Sequence, residues 1–145
     1  MPTAIDGLVR AVCEEFRLAG ADVREAALPS LDYSCRPVAL KRALRNLVEN
    51  AVRYGGGARL AVAVSDETLS IIVDDDGPGL PPERIEDAFQ PFVRLEPSRS
   101  TETGGIGLGL AIARTIVHGH GGTLGLENRT EGGLRAVIRL PLQNG

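Results

Sequence analysis

A two-layer α/β sandwich, with three helices against one sheet of about five strands, is the fold class this chain predicts. Three observations carry that prediction. Apolar residues recur at spacings of three and four in three separate stretches, two strand-like runs between them are joined by a short polar turn, and alternating runs close the chain. The length of 145 residues suits a single domain spanning 1–145 with one core, since domains commonly run about 100 to 150 residues.

Taken in order, Ile5, Leu8, Val9, Val12 and Phe16 predict an amphipathic helix over 3–18, with Thr3 and Asp6 placed as a capping pair. Residues 22–28 form a short strand candidate, and 29–37 a loop. Pro37 suits the first turn of a second helix, Leu40, Leu44, Leu47, Val48 and Ala51 form its buried face, and Gly55, Gly56 and Gly57 stop it. The runs 59–64 and 69–75, joined by Ser65, Asp66, Glu67 and Thr68, read as a hairpin. A short helix is expected over 82–89 and a mobile polar loop over 92–105. Leu108, Ala111, Ile112, Thr115 and Ile116 carry a third long helix, and strands at 123–127 and 134–140 follow. In the last of these Leu134, Ala136, Ile138 and Leu140 alternate with Arg135, Val137 and Arg139.

Composition narrows the function. Sixteen basic against nineteen acidic residues give a net charge of −3, and no basic run is long enough to neutralise a row of phosphates, so nucleic acid is not the expected partner. Two cysteines, Cys13 and Cys35, provide neither a disulfide framework nor a zinc cluster, which fits a reducing, cytoplasmic setting. No apolar stretch approaches the roughly 20 residues of a bilayer span. The chain could still be a module of a membrane-anchored protein.

Three places carry chemistry. On the second helix, at 100° per residue, Asn46, Asn50 and Arg53 fall within about 60° of one another, with Tyr54 just beyond. Asparagine is a poor helix former, so this polar edge asks for a reason, whether a ligand or a neighbouring loop. In the strand before Gly77, the two-residue period puts Asp75 inward with Leu69, Ile71 and Val73, and Asp74 on the other face with Ser70 and Ile72. A buried carboxylate needs a donor, and the exocyclic amine of adenine is one. Gly77 and Gly79 would let a flat ligand come close, although the pattern is also that of an ordinary turn. Finally, Gly104, Gly105, Gly107 and Gly109 run into the third helix and offer N–H groups to phosphates, or else form a simple hinge. Neither G-x-x-x-x-G-K-[ST] nor G-x-G-x-x-G is present.

Together, Asn46 and Asn50, then Asp75-x-Gly77-x-Gly79, then Phe89-Gln90-Pro91-Phe92, then Gly105-x-Gly107-x-Gly109 resemble the N, G1, F and G2 boxes of the sensor histidine kinase ATP-binding domain. That family belongs to a superfamily shared with gyrase, Hsp90 and MutL. The resemblance covers about 40 to 140 and implies the Bergerat sandwich of mixed strands, ATP and Mg2+ as ligands, and a flexible ATP lid at about 93–106. By the same resemblance, Asn50 matches the magnesium ligand, Asp75 the acceptor for adenine, and Gly77 and Gly79 the floor of its pocket. Asn46, Arg53 and Tyr54 match positions near phosphate and base, with Leu80, Phe92, Leu108 and Leu110 around the nucleotide. Gly105, Gly107 and Gly109 match the hinge at the phosphates, Phe89 and Phe92 the box beneath the lid, and Arg94 and Arg99 lid arginines that reach the terminal phosphate.

The resemblance also implies a mechanism. ATPase branches of the superfamily, and anti-sigma serine kinases, place a glutamate where Asn46 stands, and an amide cannot act as that base. A phosphotransfer domain serving a histidine is therefore expected, with an anti-sigma-type serine kinase or a non-catalytic ATP-sensing module as alternatives. His118 and His120 read as capping or surface residues, so the acceptor belongs to a separate dimerisation domain of the same parent kinase. A response regulator downstream, a monomeric fragment and a homodimeric, membrane-anchored parent complete what the resemblance implies.

Overall fold

The computed structural model describes residues 2–89 and 108–142. In chain order its elements are β1 (Pro2–Ala4), α1 (Ile5–Leu18), β2 (Val23–Glu25), β3 (Asp32–Ser34), α2 (Pro37–Gly55), β4 (Ala58–Val64), β5 (Thr68–Asp74), α3 (Leu108–Gly119), β6 (Thr123–Asn128) and β7 (Leu134–Pro141). Five strands form one mixed sheet in the order β2-β4-β5-β7-β6, with β2 parallel to β4 and every other pair antiparallel. One face of that sheet is covered by the helices, giving the two-layer α/β sandwich.

Local sequence explains the boundaries that matter. Pro37 opens α2, where its fixed φ and missing N–H cost nothing. Gly56 ends the helix in the left-handed region at φ 80°, its N–H bonded to Val52 O at 3.1 Å. Along β5 the residues alternate between buried and half-buried, and Leu69, Ile71 and Val73 face the helices. They meet Leu40, Leu44 and Leu47 of α2 and Ile138 and Leu140 of β7 in one core. Each such fully buried aliphatic side chain contributes about 1.5–3 kcal/mol, so the end of β5 and the facing edge of α2 are held firmly together.

Three details depart from the sequence expectations. Thr3 lies in β1, which pairs with β3 inside the expected loop, and α1 starts only at Ile5. No side chain caps that helix; its N-cap is Ala4, and Asp6 accepts instead from Arg10 at 3.1 Å. The helix expected over 82–89 is two 3-10 turns, Pro82–Arg84 and Glu86–Phe89. Val137 alternates with the core residues of β7 yet is only 4% exposed, because its lateral neighbours on the outer face are Ile72 and Gly125, flanked along β7 by the long stems of Arg135 and Arg139. The segment expected as a mobile loop lies outside the described residues.

Candidate functional site

The end of β5 delivers three consecutive aspartates, and strand alternation sends them to different places. Asp74 points to the outer face, where Arg135 donates to it through Nε at 2.8 Å and Nη2 at 2.9 Å. Asp76 is exposed and accepts a two-pronged pair from Arg59 at 2.7 and 2.9 Å, together with Arg129 Nη1 at 2.9 Å. Those two guanidinium groups hold its carboxyl well below the usual carboxylate range. Asp75 turns inward, and it is the buried charged residue of the described part. Its Oδ1 accepts from Gly77 N at 2.9 Å and from Leu134 N at 3.1 Å, while its own N–H donates to Leu134 O at 3.0 Å. Among the described residues both hydrogen bonds to the carboxylate fall on Oδ1, which leaves Oδ2 for a donor from outside.

Asp75 lines a cleft between the two layers. Its walls are Asn50 and Tyr54 of α2, the 78–81 turn, Ala88, Leu110 of α3 and Leu134 of β7. The cavity is about 140 Å³, smaller than the roughly 300–1,000 Å³ that whole ligands occupy. The formed part therefore matches a flat, base-sized group whose remainder extends out of the cleft. One carboxylate among apolar walls supplies a single strong acceptor, which suits an amino group on an aromatic ring.

The sequence expectations fare unevenly here. Asn50, Tyr54, Asp75, Gly79, Leu80 and Leu110 come together around the cleft. The Asn50 amide makes no hydrogen bond to another described residue. Asn46 instead donates from Nδ2 to Gly109 O at 3.1 Å, tying α2 to the start of α3. Arg53 does not line the cleft; it pairs with Glu49 at 3.2 Å on its own helix. Leu108 opens α3. Phe92, Arg94, Arg99, Gly105 and Gly107, with the expected lid at 93–106, lie outside the described residues. Phe89 is buried, with the Arg114 guanidinium 4.2 Å from its ring centroid. His120 is a structural tie, as expected: Nε2 accepts from Arg36 N at 3.1 Å, and Nδ1 lies 2.9 Å from Ile116 O.

The glycines also serve the protein's own packing. The space a Cβ would occupy at Gly77 is held by Tyr54 O at 2.7 Å and Gly55 Cα at 2.8 Å, and at Gly79 by Asn128 Oδ1. Their bareness admits the protein's own atoms. Gly55, which the sequence reading used only as a helix stop, is equally constrained: its Cβ would lie 2.5 Å from Asp75 Cβ and Cγ. Gly55 and Gly77 let the end of α2 close directly onto the end of β5, and so bring Asn50 and Tyr54 to the same cleft as Asp75. Asn128 and Arg129, which grip the segment from β6, were also missed; no local pattern announces contacts across about 50 residues of chain.

Comparison with known proteins agrees with this geometry. The family described as histidine kinase-, DNA gyrase B- and HSP90-like ATPase matches residues 35–144. Over 134 residues the chain is 45% identical to the sensor histidine kinase GtrS of Pseudomonas aeruginosa, covering 92% of this chain and 27% of that protein. The crystal structure of the ATP-binding domain of PrrB from Mycobacterium tuberculosis superposes with a TM-score of 0.82 at 29% identity, covering 99% of this chain and 98% of that one. Full-length ShkA in complex with AMPPNP gives a TM-score of 0.81 at 27% identity, covering 100% of this chain and 31% of that one. The chain thus spans about a quarter of the length of GtrS.

Proposed function

We propose that this chain, which belongs to the family of histidine kinase-, DNA gyrase B- and HSP90-like ATPases, binds ATP with the adenine amino group on Asp75 and passes the γ-phosphoryl group to a histidine on a separate domain. It is an ATP-binding catalytic domain of the sensor histidine kinase type. The observation that carries the binding mode is the inward carboxylate of Asp75, with its second oxygen available beside a base-sized cleft. We take 1–145 as one ATP-binding domain.

A magnesium ion fits the residues present. No group of three or more His, Cys, Asp or Glu that could cage a metal occurs among the described residues. Mg2+ in nucleotide sites keeps several waters and takes few protein ligands besides the substrate phosphates, and an Asn amide oxygen serves as one of them in protein kinases. The Asn50 amide oxygen, at the cleft and without another described partner, is such a ligand. When bound, the ion neutralises charge on the phosphates. Asn50 would hold the ion, Asp75 and the cleft walls would fix the base, and the amide at Asn46, tied to Gly109 O, cannot act as a base. That suits a nucleophile needing no deprotonation by this domain, such as imidazole.

The acceptor histidine, on a dimerisation domain of the parent kinase, and a response regulator downstream are part of the same proposal. So are a homodimeric parent anchored in a membrane, this domain lying in the cytoplasm, and a monomeric state for the chain alone. No helix among the described residues is long and apolar enough to cross a membrane. The test is to incubate the chain with a histidine-bearing dimerisation domain and γ-labelled ATP. Acid-labile label on histidine is expected; label on serine, or none despite bound ATP, contradicts it.

Gly55 supplies a further prediction. Gly55→Ala places a methyl group against Asp75, so the carboxylate must shift. Overpacking of this kind costs about 1–3 kcal/mol of stability, and the displaced carboxylate, losing about 1 kcal/mol or more of its contact with the base, should lower ATP affinity about fivefold or more in a fluorescent-nucleotide titration. Unchanged affinity would remove the α2–β5 contact from the account.

A further inference from the structure

The amide of Asn128, the last residue of β6, forms two hydrogen bonds in opposite senses with a single residue of the cleft wall. Its Oδ1 accepts from Leu80 N at 2.9 Å, and its Nδ2 donates to Leu80 O at 2.7 Å. The side chain thus does for Leu80 what a neighbouring strand would do. The turn has few other ties, since Pro78, Pro81 and Pro82 carry no N–H. The remaining hydrogen bonds made by 77–82 among the described residues are local: Gly77 N to Asp75 Oδ1, Arg84 N to Pro81 O, and Ile85 N to Pro82 O. Among the described residues, only the Asn128 pair joins this turn to another element by hydrogen bonds.

The neighbouring residue holds the other end of the same segment. Arg129 Nη1 donates to Asp75 O and to Asp76 Oδ1, each at 2.9 Å, and its side chain is 12% exposed. Only glycine fits at position 79, where φ is 74° and a Cβ would overlap Asn128 Oδ1. The end of β6 therefore grips the 75–80 segment at both ends. Between those grips lie Asp75 and the wall formed by Pro78, Gly79 and Leu80.

We infer that Asn128 is a positioning residue for base recognition: by fixing Leu80 it sets the distance between the 78–81 wall and Asp75. This rests on the nucleotide reading of the cleft and adds to it, because Asn128 is not among the cleft-lining residues and acts through Leu80. Losing both bonds leaves the wall free to move against the base. It leaves the sheet intact, because the β6–β7 pairing uses backbone groups.

The experiment uses the full 145-residue chain as wild type, Asn128→Ala, Asn128→Asp and Asp75→Asn. Each is titrated with magnesium AMPPNP and with a magnesium GTP analogue, and amide hydrogen exchange is followed at Leu80. For Asn128→Ala the expectation is an AMPPNP Kd raised about fivefold, as for roughly 1 kcal/mol of lost hydrogen bonding, with a narrower preference over the GTP analogue. Exchange at Leu80 should quicken while β5 and β7 amides keep their protection. Asn128→Asp still accepts from Leu80 N but sets an acceptor against Leu80 O, so it should recover only part of that protection and of the affinity. An AMPPNP Kd within twofold of wild type in Asn128→Ala overturns the inference, and so does a loss accompanied by deprotection throughout β5 and β7. If the wild type binds and Asp75→Asn weakens binding, such a result removes only the role of Asn128. A wild type that binds no AMPPNP removes both this inference and the nucleotide reading.

Discussion

Asp75→Asn should weaken ATP binding by about one to two orders of magnitude, the loss expected for a charged hydrogen bond worth about 1.5–3 kcal/mol. It should leave the affinity for GTP nearly unchanged. Asparagine has the same shape, and its single oxygen can keep accepting from Gly77 N and Leu134 N as Asp75 Oδ1 does. The fold is preserved for that reason. The other position then becomes an NH2 group facing the cleft, a donor where adenine presents a donor and guanine an acceptor. Parallel titrations with ATP and GTP analogues test this. Equal losses for both would mean that Asp75 supports the fold and does not read the base.

Asn50→Ala should have the opposite signature. Its amide lines the cleft without another described partner, so removing it leaves no buried group unsatisfied and costs little stability. What is lost is an oxygen for magnesium. Metal stabilisation of a phosphoryl-transfer transition state is worth several kcal/mol, which corresponds to a transfer rate lower by roughly two to three orders of magnitude. Because the base contacts remain, affinity for adenosine should change little. Rates of label transfer to a histidine-bearing dimerisation domain, measured beside adenosine binding, separate the two effects. A transfer rate close to wild type would take Asn50 out of the phosphate site.

The two variants also show what could be read from the sequence. The leucine stripe of α2 and the two-residue period of β5 are local patterns, and they put Asp75 inside and Asn50 at the edge of the buried face before any coordinates. The three-residue strands β1 and β3 are too short to display a period, so Thr3 looked like a helix cap. Val137 is buried by its lateral neighbours on β5 and β6, which only the register reveals. Gly77 and Gly79 stand out in the sequence, but the α2 and β6 atoms that fill the space a Cβ would need there come from other elements and cannot be read from the local pattern. Arg53 stands on the polar edge of α2 that its spacing indicates, and its pairing with Glu49 follows from the four-residue separation along that helix. Asn128 and Arg129 act on residues some 50 positions away, and no spacing within either segment encodes that meeting.

A crystal structure of the chain with magnesium AMPPNP tests the central claim most directly. The account predicts the adenine ring between Leu80 and the α2 wall, its amino nitrogen about 3 Å from an Asp75 carboxylate oxygen, and the metal on the Asn50 amide oxygen. A nucleotide bound elsewhere, or an adenine whose amino group points away from Asp75, would contradict it.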